Sequence, residues 1–236
     1  MSYSKQDLRR ATSWLTFVGL LVLIVVGSFG CLCNMMTFTS KKLKNSTCAF
    51  YFLCTAMVEL FILCFGGITR LSEEHFGSRW IDGNRIFCKT RAFLNTAMST
   101  IAMFLVLLAV IDRYMATTAL HQHGLFSRMK VAHRAVSLTV LLGLGLNVHI
   151  FVFFDLYPTC VPRPGSYSVY FSIYAIVGTS LLPDGLILFF LLCTIRNIRR
   201  IRIRPIGRHA VTVVRQQRMR RIERQLVIVG SPASLT

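Results

Sequence analysis

The sequence predicts an all-α membrane protein, a bundle of transmembrane helices with five complete spans. Three observations predict it. Of 236 residues, 54% are hydrophobic and only 15% are charged, with a mean hydropathy of +0.57; a soluble domain has about a quarter of its residues charged. The apolar residues come in long unbroken blocks rather than at amphipathic spacing. The basic residues, which give a formal net charge of +18, gather between those blocks and after the last of them.

The first block runs from Ala11 to Ser40 without Asp, Glu, Lys or Arg. A helix of that length reaches about 45 Å, more than the roughly 30 Å hydrocarbon core requires. A cleaved leader has an apolar core of only about 7 to 15 residues, and this block continues through Cys31, Cys33 and Asn34, so a spanning helix is the better reading. Thr47 to Thr69 is broken only by Glu59, and Ala92 to Ile111 carries no acidic or basic charge. Ala135 to Phe154 has His149 as its one titratable group, and Ser166 to Ile195 is interrupted by Asp184 beside Pro183. In lipid every backbone N–H and C=O must be satisfied within the segment, so each block is expected to be helical. The expected spans are about 13–38, 47–69, 92–114, 135–155 and 167–195, followed by a basic segment at 196–229, all in a single transmembrane domain covering 1–236.

Charge placement argues for membrane orientation rather than nucleic acid. Alternate hydrophilic segments, beginning with the N-terminal tail, carry nine Lys and Arg: Lys5, Arg9, Arg10, Arg70, Arg79, Arg85, Lys89, Arg91 and Arg163. The other set carries eighteen. Seven lie in two loops (Lys41, Lys42, Lys44, Arg113, Arg128, Lys130 and Arg134), and eleven more arginines lie between Arg196 and Arg224. The positive-inside rule puts this second set in the cytoplasm and the N-terminus outside, a reading that rests on the last eleven arginines. No base-stacking aromatic lies among them, so lipid headgroups are the expected contact and nucleic acid is not.

Of eight cysteines, six lie in or beside apolar spans, where Cys behaves as a small hydrophobe. Cys88 and Cys160 fall in two loops of the set assigned outside. An oxidising exterior permits a disulfide between them, and two free thiols are the alternative; the shared side favours the bridge.

Twenty-four residues after Cys88, at the inner end of the third span, stands Asp112-Arg113-Tyr114. With that spacing and span number, the chain resembles the rhodopsin-like (class A) G-protein-coupled receptors. The stretch Ala56-Met57-Val58-Glu59-Leu60 resembles the Ala-x-x-Asp-Leu of the family's second helix, with Glu in place of Asp. Asn34 resembles the single Asn of the first helix, with Cys33 where a Gly usually precedes it, and Pro183 the proline that frees a carbonyl and bends the fifth. Trp80 stands before Cys88 as an aromatic often does, and the family's fourth-helix Trp is missing. The resemblance implies a coupling role for Arg113, restrained by Asp112 and supported by Tyr114. It implies an interhelical polar contact between Glu59 and Asn34, and a sodium site at Glu59, although Ala102 replaces the Ser often found there.

Amine receptors of the family carry an Asp seven residues after the outer cysteine; here that position, a candidate ligand-pocket residue, is Asn95. The resemblance therefore runs to peptide-type and invertebrate orphan receptors. The expected function is a G-protein-coupled receptor for an extracellular, peptide-like ligand at the plasma membrane, its C-terminus cytoplasmic and its full-length form engaging a heterotrimeric G protein. No metal-ligand cluster, nucleophile–base set or phosphate loop is visible, so neither an enzyme nor a cofactor is expected. The segment up to Arg224 reads as the cytoplasmic start of a sixth helix, followed by Gln225-Leu226-Val227-Ile228-Val229 and then Gly230-Ser231-Pro232. Five apolar residues do not span a bilayer, so a receptor truncated at the sixth helix, with impaired signalling, is expected. The rival classes are a transporter or channel fragment using Glu59, Asp184 and His149, which would call for inverted repeats that are not seen, and a membrane-anchored interaction protein with a basic lipid-binding tail.

The sequon Asn45-Ser46-Thr47 lies in the first inner loop. Glycosidase mapping of protein from a secretory host is expected to find Asn45 unmodified; sugar on Asn45 inverts the topology and removes the receptor reading.

Overall fold

The computed structural model describes residues 2–40, 43, 46–76, 84–118, 129–157 and 159–203. By backbone contacts the chain divides into Met1–Thr194 and Ile195–Thr236. Within the first unit, helix α1 is Ser2–Thr39. Helix α2 covers 47–76 in three consecutive pieces, Thr47–Phe61, a π-helical stretch Ile62–Gly67, and Ile68–Phe76. Helix α3 is Arg85–Thr117 and α4 is Met129–Phe153. Strands β1 (Phe154–Tyr157) and β2 (Thr159–Pro162) form an antiparallel hairpin in which Leu156 pairs with Cys160. Helix α5 covers 166–203 as Ser166–Ile173, a π-helical stretch Tyr174–Leu181, and Leu182–Ile203. Of the second unit, the described part is the last turns of this helix. The basic residues beyond Ile203, the start of a sixth helix, Trp80 and the sequon asparagine lie outside the described residues.

Among the described residues, five helices are long and apolar enough to cross a membrane: Thr12–Thr39, Thr47–Ser72, Arg85–Thr117, Met129–Phe153 and Ser166–Arg200. Helix α3 begins seven residues before the uncharged block because Asn84 caps it: its Oδ1 accepts from the N–H of Ile86 (3.0 Å) and of Phe87 (3.4 Å). At the other end of α4, Phe154 and Asp155 leave the expected fourth span for strand β1. Asp155 is drawn there by the start of α3, as described below.

The core lies where α2, α3 and α4 meet, around Cys48, Tyr51, Cys54, Ile101, Leu105, Ala109 and Ala132. Lipid supplies no hydrophobic drive between helices, so close approach of backbones decides the packing, and small residues permit it. Ala97, Ala109 and Ala132 are completely buried. Gly143 of α4 sits against Ile101 of α3, and Gly66 of α2 against Asn95 of α3; a methyl group at either would overlap that neighbour. Helix α1 meets α2 through Gly27 on Leu63 and Gly67 on Ile24, and Phe38 stacks on Phe52 at 5.5 Å. Helix α3 is the most enclosed span, with 39% of its apolar window buried against 6% for α1 and for α5.

The π-helical stretch of α5 ends two residues before Pro183, which is fully buried. Proline lacks an N–H and its ring displaces the carbonyl one turn back, so the helix widens locally. Thr179 Oγ1 and Ser180 Oγ both donate to the Ala175 carbonyl, at 2.7 and 3.3 Å.

Gly143→Ala is expected to cost about 1–3 kcal/mol, as overpacking a helix contact does. Gly145→Ala, with nothing within 4 Å of the added methyl, is expected to be neutral or slightly stabilising. Thermal unfolding of the two variants in detergent compares them directly.

Candidate functional site

Of the site residues singled out by sequence, Cys88, Asn95 and Asp112-Arg113-Tyr114 fall on α3, and the others lie on α1, α2, α4, α5 and β2. At the hairpin end, Cys88 and Cys160 are joined by a disulfide with Cα atoms 5.6 Å apart, closing a separation of 72 residues. It ties the first turn of α3 to strand β2. By chain entropy such a closure contributes about 4 kcal/mol.

A second tether, not legible in the sequence, runs beside it. Arg85 Nε donates to Asp155 Oδ1 at 2.6 Å, and Arg85 Nη2 donates to Oδ2, a two-pronged pair between α3 and β1. The Leu156 N–H also donates to Oδ1 (3.0 Å), and Arg163 Nη2 lies 3.8 Å from Oδ2. The Arg85 hydrogen bonds, with further attraction from Lys89, hold the Asp155 carboxyl below the usual carboxylate range. The hairpin base is closed by the Arg163 N–H donating to the Phe153 carbonyl (3.1 Å), and Phe154 packs edge-on to Phe171 at 5.0 Å.

At the opposite end, the last turns of α3 carry Asp112, Arg113 and Tyr114. Thr47, the first residue of α2, donates its hydroxyl to both carboxylate oxygens of Asp112, at 2.9 and 3.0 Å. The Arg113 guanidinium meets the Cys48 thiol, and the Tyr114 ring packs on Phe190 of α5 at 5.4 Å. The triad thus binds α3 to the start of α2 and to α5.

Midway, the structure does not bring Asn34 to Glu59. Glu59 faces Cys31, whose Sγ lies 3.9 Å from Oε2. Cys31, Met35 and Phe38 form the helical stripe that α1 turns inward, and Asn34 falls beside it, exposed. Asn95 is turned against Gly66, and its Oδ1 is buried without a partner among the described residues. Asp184 is exposed and makes no hydrogen bond to the backbone around Pro183 among the described residues. No group of three or more potential metal ligands occurs among the described residues.

The sequence reading missed a polar chain through α3, α4 and α5. Tyr174 OH donates to Asn147 Oδ1 (3.1 Å), and Asn147 Nδ2 donates to Thr100 Oγ1 (3.2 Å) and to the Gly143 carbonyl (2.7 Å). Asn147 is fully buried. His149 lies edge-on to Tyr174 at 5.1 Å, beside Tyr167 and Tyr170. The signal available was the spacing of Tyr167, Tyr170 and Tyr174 along one helical face.

Residues 30–231 match the family described as 7 transmembrane receptor (rhodopsin family). The chain belongs to this family. The match contains both cysteines of the bridge, the Asp112-Arg113-Tyr114 triad, Glu59 and Pro183, and it makes this a multi-pass receptor protein of the membrane. A comparison with curated proteins finds no match.

The depressed Asp155 carboxyl fixes the sign of a pH effect. A group held lower in the folded state contributes stability that is present above its unfolded value, near 4, and lost as pH falls through its folded value. The hairpin of this receptor is therefore expected to stay locked from neutral pH down to about pH 5 and to loosen in stronger acid. Asp155→Asn is expected to loosen it at every pH. Hydrogen exchange at the Leu156 and Val161 amides, corrected for intrinsic rates, measures both; equal protection in the variant and the native chain contradicts the tether.

Proposed function

We propose that this receptor responds to a peptide-like extracellular ligand and, in its full-length form, engages a heterotrimeric G protein, with the hairpin outside the plasma membrane and the Asp112 end in the cytoplasm. The observation that carries the reading is the arrangement of α3, tethered at one end by the Cys88–Cys160 bridge and ending at the other in an Arg113 held beside an occupied carboxylate. A helix fixed at one end and held by hydrogen bonds at the other is suited to a two-state response, since a ligand needs only to bias contacts already present.

Restraint of Arg113 by Asp112 is supported by the hydroxyl of Thr47, which holds the carboxylate in place at the helix end. The peptide-like assignment is supported by Asn95, which offers no carboxylate to an ammonium group and is packed into the α2–α3 contact. A sodium role for Glu59 draws no support from its surroundings, since the contact it makes is to a thiol.

Guanine-nucleotide exchange on a purified heterotrimer, mixed with membranes holding the full-length form, tests this reading. Exchange is expected to rise with a tissue peptide fraction, to vanish when that fraction is digested with protease, and to fall at least about tenfold with Arg113→Ala, the loss of one charge-assisted contact. Exchange that survives both changes contradicts it.

A further inference from the structure

At the hairpin rim three basic side chains, Arg85, Lys89 and Arg163, act on one carboxylate, Asp155. Arg85 and Lys89 are four residues apart and so share a face of α3. Arg163 directly follows the last residue of β2.

The order of these groups, from the surface inward, decides what they present. The Asp155 side chain is 8% exposed, whereas those of Arg85 and Arg163 are 61% and 54% exposed. A solute arriving at the rim meets guanidinium groups first, and the carboxylate lies beneath them. Arg163, at 3.8 Å, is too far from Oδ2 for a hydrogen bond, so its donors are not spent on Asp155. The positive end of the α3 dipole, capped by Asn84, has the same sign. The Cys88–Cys160 bridge holds the hairpin in place independently of the ion pair, so a competing anion can engage these donors without dismantling the rim.

We propose that Arg85, Lys89 and Arg163 form an anion-accepting site that takes a carboxylate of the extracellular ligand in competition with Asp155. Guanidinium groups bind carboxylates through paired N–H donors, which gives direction as well as charge. The carrier of the carboxylate rests on the peptide reading above, and the anion chemistry does not. On a peptide, the carboxylate comes from an acidic side chain or from a free C-terminus.

The test uses the full chain in neutral-lipid nanodiscs and four dye-labelled probes: a Glu-rich hexapeptide with a free C-terminus, the same peptide amidated, a Lys-rich hexapeptide, and a small dicarboxylic acid. Anisotropy titrations compare the native chain with Lys89→Glu, Arg163→Glu and the milder Arg163→Gln. The acidic peptide is expected to bind at least tenfold more tightly than the basic one. Each rim variant is expected to weaken it at least fivefold, and added salt to weaken it further. A loss on amidation assigns the carboxylate to the C-terminus, and retained binding assigns it to side chains. Rim-dependent binding of the dicarboxylate alone upholds the anion site and removes the peptide carrier. Acidic-probe affinities that are the same in the native chain and all three variants overturn the proposal, whatever their absolute value.

Discussion

A backbone amide in hydrocarbon has no water to turn to, and that constraint organises the whole bundle. Each span has to close its hydrogen bonds on itself, so it is a helix; where a helix is disturbed, some other group in reach makes up the loss. Pro183 removes a donor from α5, and the helix answers with a π-helical stretch. Helices that cannot gain from expelling water associate through close contact instead, which puts Ala97, Ala109, Ala132 and Gly143 at the seams around α3.

Helix α3 is where these seams converge, and its ends are treated differently. The hairpin end is locked twice, by a covalent bridge and by a two-pronged ion pair. The other end is held by the hydroxyl of Thr47 on Asp112 and by ring packing of Tyr114 on Phe190. Between them, Thr100, Asn147 and Tyr174 link α3 to α4 and α5 through hydrogen bonds that are costly to break in a low-dielectric interior.

The five spans were legible because bilayer thickness imposes a length that few other structures demand. The bridge and the Asp112-Arg113-Tyr114 triad were legible as well, since sequence spacing along one helix fixes where its ends lie. Contacts between distant segments were not. Arg85 and Asp155 are separated by 70 residues, and Asp155 reads as the tail of an apolar block until the hairpin turns it toward α3. Asn34 shows the limit of a motif: one turn from the buried Cys31, it lies at the edge of the stripe that faces α2 and is exposed. The π-helical stretch at Ile62–Gly67 left no periodic signal, since one extra residue in a turn does not change an apolar composition.

The claim on which the functional reading depends is that the hairpin faces outward and the Asp112 end inward. Single cysteines introduced at Ser166, at the start of α5, and at Ser40, just after α1, test it most directly in a background where the other unpaired thiols are replaced. A membrane-impermeant maleimide applied to intact cells is predicted to label Ser166→Cys at once and Ser40→Cys only after permeabilisation. Labelling of Ser40→Cys in intact cells, with Ser166→Cys protected, would contradict the account.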